Sequence, residues 1–350
     1  QFVLHTMCKC RFYISITTSM SVKQNIEMMC TCGPSLAKAE TIAKIFEEGV
    51  ESIRINFSHG QREDHVKFYN AIKEAIKITG KKNIKIMGDI QGPKFRVGLF
   101  ENKSIQLELG QEFTLDSDQT PGNQTRCYLP HIEMIKAAQV GDKMLINDGF
   151  AVLEVLKKFD DKLITKVTKA SEIGNMKGIS LPARVVPCEF PTKKDFVSIE
   201  TANMLDLDVL MLSFVQTPED VLNVRKMFKK ELMAKIETPA ALENVVAIAN
   251  VSDSILIARG DLGVEAGMNL ICKNTKLICE KLKGSKAKLY TATQYLESMV
   301  KCELPTRAEA NDIYWAIQDG VQGILLTGET ANSVDPVASI QWLKKLIQSE

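Results

Sequence analysis

The sequence predicts an α/β fold, a (β/α)₈ barrel with a small all-β domain inserted after its third strand. Three observations lead there. Short apolar runs alternate with amphipathic stretches of helical length, the pattern of a parallel sheet built from βαβ units. Eight such runs occur in 350 residues, a number that suits a closed barrel better than an open sheet. The third run is followed by no helix, and the chain changes character from residue 93 to about 190.

In order, the runs are IEMMCTCG (26–33), ESIRINFS (51–58), IKIMGDI (84–90), LDVLMLSF (207–214), MAKIET (233–238), SILIARG (254–260), AKLYTAT (287–293) and QGILLTGET (322–330). The third ends at Gly92-Pro93, because proline has no N–H to continue a ladder. Beyond it, SIQLELGQEFTLD, DKMLINDGFAVLEVL and DKLITKVTKA are short, β-rich and separated by Gly, Asp and Asn. Residues 93–190 therefore read as an inserted lid over the end of the barrel where such enzymes keep their chemistry, with 25–92 and 191–350 forming the barrel. A last helix over DPVASIQWLKKLIQSE carries Val337, Ile340, Trp342, Leu343, Leu346 and Ile347. Only part of that set can face the barrel, which predicts an exposed apolar patch.

Composition narrows the function. With 45% hydrophobic and 25% charged residues the chain is an ordinary soluble globular protein. A net charge of +1 advertises no polyanion-binding surface, and no apolar run is long enough to span a bilayer, so neither nucleic acid nor membrane is an expected partner. The nine cysteines include the pairs Cys8/Cys10 and Cys30/Cys32 but no zinc spacing, and they read as reduced thiols in a cytoplasmic protein, a metal clip or disulfide framework being the alternative. Residues 1–24 contain no acidic residue and read as a disordered extension with Met20 as the true start; an organelle-targeting leader is the alternative.

Chemistry concentrates at the strand ends. In RINFSH, Arg54, Asn56 and Ser58 share one strand face while Ile53, Ile55 and Phe57 share the other. Polar groups inside a barrel are costly unless they bind one another or a ligand. MAKIET repeats the device with Lys235 and Glu237, for which a plain buried ion pair is the competing reading. Asp261 follows Arg259-Gly260 at the next strand end. With Glu237 it offers the two hard oxygen ligands by which Mg²⁺ is commonly held, the other positions going to water and substrate. Thr291, Thr293 and Thr327 add hydroxyls at the same rim. A cation clamp, a carboxylate pair and hydroxyls point to reactions of a small phosphorylated anion. They do not choose between phosphoryl transfer, enolate chemistry and simple binding.

RINFSHG, GDIQGPKFRVG, NDG, KGISLP, AKIE, ARGDLGVE, TATQYLESM, PTRAEANDI and LTGETA, in this order and spacing, resemble the signature segments of pyruvate kinases over residues 26–350. The resemblance implies a barrel with a lid, and transfer of the phosphoryl group of phosphoenolpyruvate to ADP to give pyruvate and ATP, the last step of glycolysis. It implies catalytic roles for Arg54, Lys235, Thr293 and Thr327, the last at a position where the family usually has Ser. Gly260, Asp261 and Thr293 would seat the substrate carboxylate, and Asn56, Phe57, Ser58, His59, Arg96 and the lid's Lys177 would contact the nucleotide. Glu237 and Asp261 would hold Mg²⁺, or Mn²⁺ in its place.

The family usually binds K⁺ beside a glutamate, at positions matching Asn56, Ser58, Asp89 and the backbone of Ile90. Here Lys94 replaces that glutamate, with Ile90, Gln91 and Val97 replacing Thr, Lys and Thr, a set similar to the subgroup in which a lysine ammonium substitutes for K⁺. K⁺ is therefore not an expected requirement. Glu27 stands where Lys is typical. The C-terminal α/β domain that usually carries an effector site is expected to be absent, and the chain is expected to form a homo-oligomer. A truncated pseudoenzyme, or a lyase or mutase acting on phosphoenolpyruvate-like enolates, is the competing function.

Overall fold

A computed structural model describes residues 25–182 and 184–349, so Cys8, Cys10 and the extension expected over 1–24 lie outside the described residues. The chain opens with β1 (Glu27–Thr31), α1 (Ala39–Glu47), β2 (Ser52–Asn56), α2 (Arg62–Thr79) and β3 (Lys85–Ile90). It resumes this alternation with α4 (Lys193–Met204) and β12 (Val209–Leu212), then α5 (Pro218–Arg225) and β13 (Glu231–Ile236). Next come α6 (Pro239–Glu243), α7 (Val245–Val251), β14 (Ser254–Ala258), α8 (Arg259–Ala266), α9 (Ile271–Lys281) and β15 (Lys288–Ala292). The last turn of the barrel is α10 (Arg307–Gln318), β16 (Gly323–Leu325), α11 (Gly328–Ala331) and α12 (Pro336–Gln348). All eight apolar runs become strands of one closed parallel barrel in the order β1-β16-β15-β14-β13-β12-β3-β2.

Two cores follow from strand alternation. Outward residues such as Ile53, Ile55 and Phe57 pack with Ile42, Ile45 and Phe46 of α1. Inward residues form a methionine-rich layer of Met29, Met87, Met211 and Met233 with Leu256 and Tyr290. The helices start where their sequences supply caps: Gln61 with Asp64 on α2, Thr192 with Asp195 on α4 and Thr306 with Glu309 on α10. At the foot of the barrel, Glu27 accepts hydrogen bonds from Ser52 Oγ and from Tyr290 OH, so the acidic replacement has its own partners.

Between β3 and α4 the chain builds a second body. A six-stranded sheet joins β5 (Glu112–Asp116), β6 (Arg126–Tyr128), β7 (Lys143–Ile146), β8 (Ala151–Lys158), β9 (Lys162–Lys169) and β11 (Ile179–Ser180). A smaller sheet pairs β4 (Ser104–Gln106) with β10 (Glu172–Gly174). Phe113, Leu115, Leu153 and Leu163 form its separate core. It is not purely β as expected, because the short helix α3 (Ile132–Ala137) inserts Met134 and Ile135 into that core. The entry bend needs glycine: Gly92 has φ +63°, and a Cβ there would collide with the Ser213 carbonyl oxygen.

The expected apolar patch on α12 does not form. Ile340 and Leu343 are fully buried, and Val337, Trp342, Leu346 and Ile347 pack partly buried on the barrel core, since α12 lies against α1, α10 and α11. Trp315 of α10 is exposed instead. Among the described residues no helix is long and apolar enough to cross a membrane.

Candidate active site

The register of β2, β3 and β13 brings the inward polar residues to one point at the C-terminal mouth of the barrel. Asp89 is its centre. Its carboxylate, 1% exposed, accepts from Arg54 Nε at 2.8 Å, Ser213 Oγ at 3.1 Å and Lys235 Nζ at 3.2 Å. Lys235 also donates to Ser213 Oγ at 2.7 Å, and Arg54 NH1 to Thr31 Oγ1 at 3.2 Å. Burial alone would neutralise these groups, but mutual attraction outweighs it: Asp89 titrates below the usual carboxylate range and Lys235 above the usual lysine value. The cluster is thus ionised and largely buried, with Arg54 at the edge of the cleft.

Glu237, at the end of β13, is fully buried. One oxygen accepts from Phe214 N at 2.6 Å, while Oε1 lies 3.0 Å from Lys235 Nζ without hydrogen-bond geometry and has no other partner among the described residues. Burial pushes its carboxyl up to about 7, against the pull of Lys235. Asp261 sits in the first turn of α8, where the backbone N–H groups of Gly260 and Asp261 have no intrahelical acceptor. An orphaned buried carboxylate oxygen beside a second carboxylate, both hard donors, fits a divalent cation completed by water and substrate. Among the described residues no group of three or more His, Cys, Asp and Glu side chains could hold a metal alone.

Lys94 departs from expectation. The sequence grouped it with Asn56, Ser58 and Asp89, but its ammonium pairs with Asp261 Oδ1 at 2.8 Å and lies over the Phe214 ring. The bend at Gly92-Pro93 carries it to the α8 side of the mouth. Asn56 Oδ1 accepts from Ser58 N at 3.1 Å, and Ile90 is fully buried, leaving only its backbone for any ligand. The Phe57 side chain is sealed in the core, which leaves its backbone for any ligand.

Two clefts flank the cluster. One, of about 820 Å³, is lined by Arg54, Asn56, His59, Thr293 and Thr327. Burial and the charges of Arg96, Lys194, Arg54 and Lys94 lower the His59 pKa, so its surroundings are cationic. The other, of about 210 Å³, lies between lid and barrel and is lined by Lys94, Asp261 and Glu265. Arg96 bonds to the Met176 carbonyl within the lid, and Lys177 is exposed there. Thr293 and Gln294 both take positive φ, +86° and +58°, at the end of β15. Thr327 donates through N and Oγ1 to Glu329, which is fully buried and also accepts from Tyr295 N. Ser213, Lys194 and Glu329 were missed by sequence reasoning. Ser213, the polar residue closing an apolar run, carried the same signal as Lys235. Cys30 and Cys32 are buried free thiols with raised pKa values, as expected of unreactive sulfur.

A family model described as the pyruvate kinase barrel domain matches residues 23–340. The pyruvate kinase of Methylorubrum extorquens is 37% identical over 94% of this chain and 69% of its own length. That of Thermotoga maritima is 36% identical over 92% and 70%. A crystal structure of a pyruvate kinase from Cryptosporidium parvum superposes with a TM-score of 0.88 at 32% identity, covering 93% of this chain and 69% of that one.

Proposed function

The chain belongs to the pyruvate kinase family, and from that premise we propose that it transfers the phosphoryl group of phosphoenolpyruvate to ADP, using the charged cluster around Asp89. The observation that carries this reading is the pair of cations, Arg54 and Lys235, held on one buried carboxylate beside the orphaned Glu237 oxygen. A loose phosphoryl-transfer transition state spreads negative charge over the departing phosphoryl and enolate oxygens, and fixed cations in a dry site stabilise that charge without reorganising. Lys235 meets the oxygens as they separate, and Arg54 orients the phosphoryl group.

Glu237 and Asp261 would hold Mg²⁺ or Mn²⁺, which would supply positive charge to the developing anion. For that, Lys94 must give up Asp261. The N–H groups of Gly260 and Asp261 and the hydroxyl of Thr293 seat the carboxylate. Thr293 and Thr327 relay a proton from water to the enolate, each hydroxyl taking one proton as it gives one up. Asn56, Ser58, His59, Arg96, the Phe57 backbone and Lys177 serve ADP. Cytoplasmic location and homo-oligomerisation belong to the same proposal.

Potassium is not required in this reading, because Asp89 is already neutralised by Arg54 and Lys235, and Lys94, once it releases Asp261, brings a further charge to the mouth. Initial rates at constant ionic strength are expected to be flat against potassium concentration. A chain silent until potassium is added contradicts that role for Lys94. The test of the main proposal is a coupled assay of pyruvate formation from phosphoenolpyruvate with Mg²⁺, with and without ADP. ADP-dependent pyruvate is expected. Phosphoenolpyruvate binding without turnover would mark a pseudoenzyme, and pyruvate without ADP a different reaction.

A further inference from the structure

We propose that Arg259 is a positioning residue for proton delivery, clamping the backbone of Thr293 from behind the cleft. The inference rests on the role proposed for Thr293 and starts from an outlier: a β-branched residue at φ +86° followed by Gln294 at +58°. Such a conformation persists only where its surroundings over-determine it. Here they do so from two sides.

On one side, Arg259 NH2 donates to the Thr293 carbonyl at 2.6 Å, while NH1 grips both oxygens of Asp312 at 2.8 and 2.7 Å. The guanidinium is stacked 3.7 Å over the Tyr295 ring, whose hydroxyl lies 3.0 Å from Thr291 Oγ1. On the other side, Glu329 accepts from the amides of Tyr295 and Leu296. The same turn of α8 also touches the threonine directly, since a Cβ on Gly260 would come within 2.9 Å of Thr293 Cγ2. Arg259 thus ties the first turn of α8 to the Thr293 backbone, while Glu329 holds the residues that follow it.

Arg259 does not line the cleft of the charged cluster. It lines a neighbouring cavity of about 640 Å³ with Tyr295, Asp312 and Trp315, and Thr293 forms the wall between the two. Arg259 therefore acts through Thr293. A rigid planar head whose one nitrogen holds a carboxylate while the other reaches a carbonyl is a task for arginine, not lysine.

The experiment compares Arg259→Met, Asp312→Asn and, as a control on the parent reading, Thr293→Ala in the full chain. The readouts are kcat and KM for phosphoenolpyruvate, deuterium uptake into the pyruvate methyl group, and backbone amide exchange. Arg259→Met is expected to lower kcat and methyl exchange together by about 10- to 100-fold with KM little changed, because a small misplacement of a reacting group is costly. Amides 294–297 should exchange faster while the barrel strands keep their protection. Asp312→Asn, which retains one acceptor oxygen, should fall between wild type and Arg259→Met, and it carries the test if Arg259→Met does not fold.

The proposal is overturned if both folded variants keep kcat and methyl exchange within about twofold of wild type while Thr293→Ala loses them. It is equally overturned if amide protection falls throughout the barrel, which marks a merely structural arginine. Should Thr293→Ala keep full methyl exchange, the role of Thr293 fails, and unchanged amide exchange at 294–297 in the arginine variant still decides against the clamp.

Discussion

Lys235 and Asp89 are both nearly sealed from water, yet the attraction between them keeps both charged. Lys235→Met is therefore expected to lower kcat more than about 100-fold while phosphoenolpyruvate still binds, since Arg54 remains on Asp89 and the lost charge acts mainly in the transition state. Steady-state kinetics with equilibrium binding checks this, and a loss confined to KM contradicts it. Glu237→Gln and Asp261→Asn each remove an anionic oxygen ligand, so both should shift the Mg²⁺ activation curve to higher concentration. Curves that overlay wild type in both variants locate the metal elsewhere.

At the scale of the element, α8 is the part on which lid and barrel meet. Asp261 and Glu265 lie four residues apart on one helix face, and each takes a contact from the inserted segment, Asp261 from Lys94 and Glu265 from Ser180 Oγ at 2.5 Å. Burial pushes the Glu265 carboxyl from 4.5 up to about 7. Over that window the folded chain holds a proton that the unfolded chain has released, so stability should fall as pH rises from about 4.5 to 7. The loss is at most about 3–4 kcal/mol. Glu237, also raised to about 7, contributes over the same window, so Glu265→Gln should reduce this slope without abolishing it, read as denaturant midpoint against pH. An unchanged slope would show that Glu265 is ionised throughout.

On the scale of the whole molecule, the hydrophobic core inside the inserted sheets does not merge with either core of the barrel, the one beneath the helices or the one within the strands. Phe113 is fully buried in the core of the inserted sheets. Phe113→Ala should cost about 3–5 kcal/mol of lid stability, through lost burial and the cavity left behind. Amide exchange of β5, β8 and β9 is expected to accelerate while β12–β16 keep their protection. Equal acceleration of both would mean that lid and barrel unfold as one cooperative unit.

The sequence by itself determined the barrel and most of the site. Period-two alternation puts Arg54, Lys235 and Glu237 on the inner face whatever the partners are, and eight apolar runs leave little choice but closure. It could not decide what those residues would touch. Arg54 and Lys235 are separated by 181 residues of β and helical chain, and only closure of the sheet brings both onto Asp89. Lys94 was grouped with Asn56 and Asp89 by position, but a flexible stem beyond a proline bend goes to the nearest uncompensated charge, here Asp261. The apolar face of α12 likewise read as excess until α1, α10 and α11 were in place to cover it. Ser213, Glu329 and Arg259 belong to the same class. Their hydrogen bonds join residues far apart along the chain or across a turn with positive φ, and such contacts exist only once the tertiary structure has set the distances.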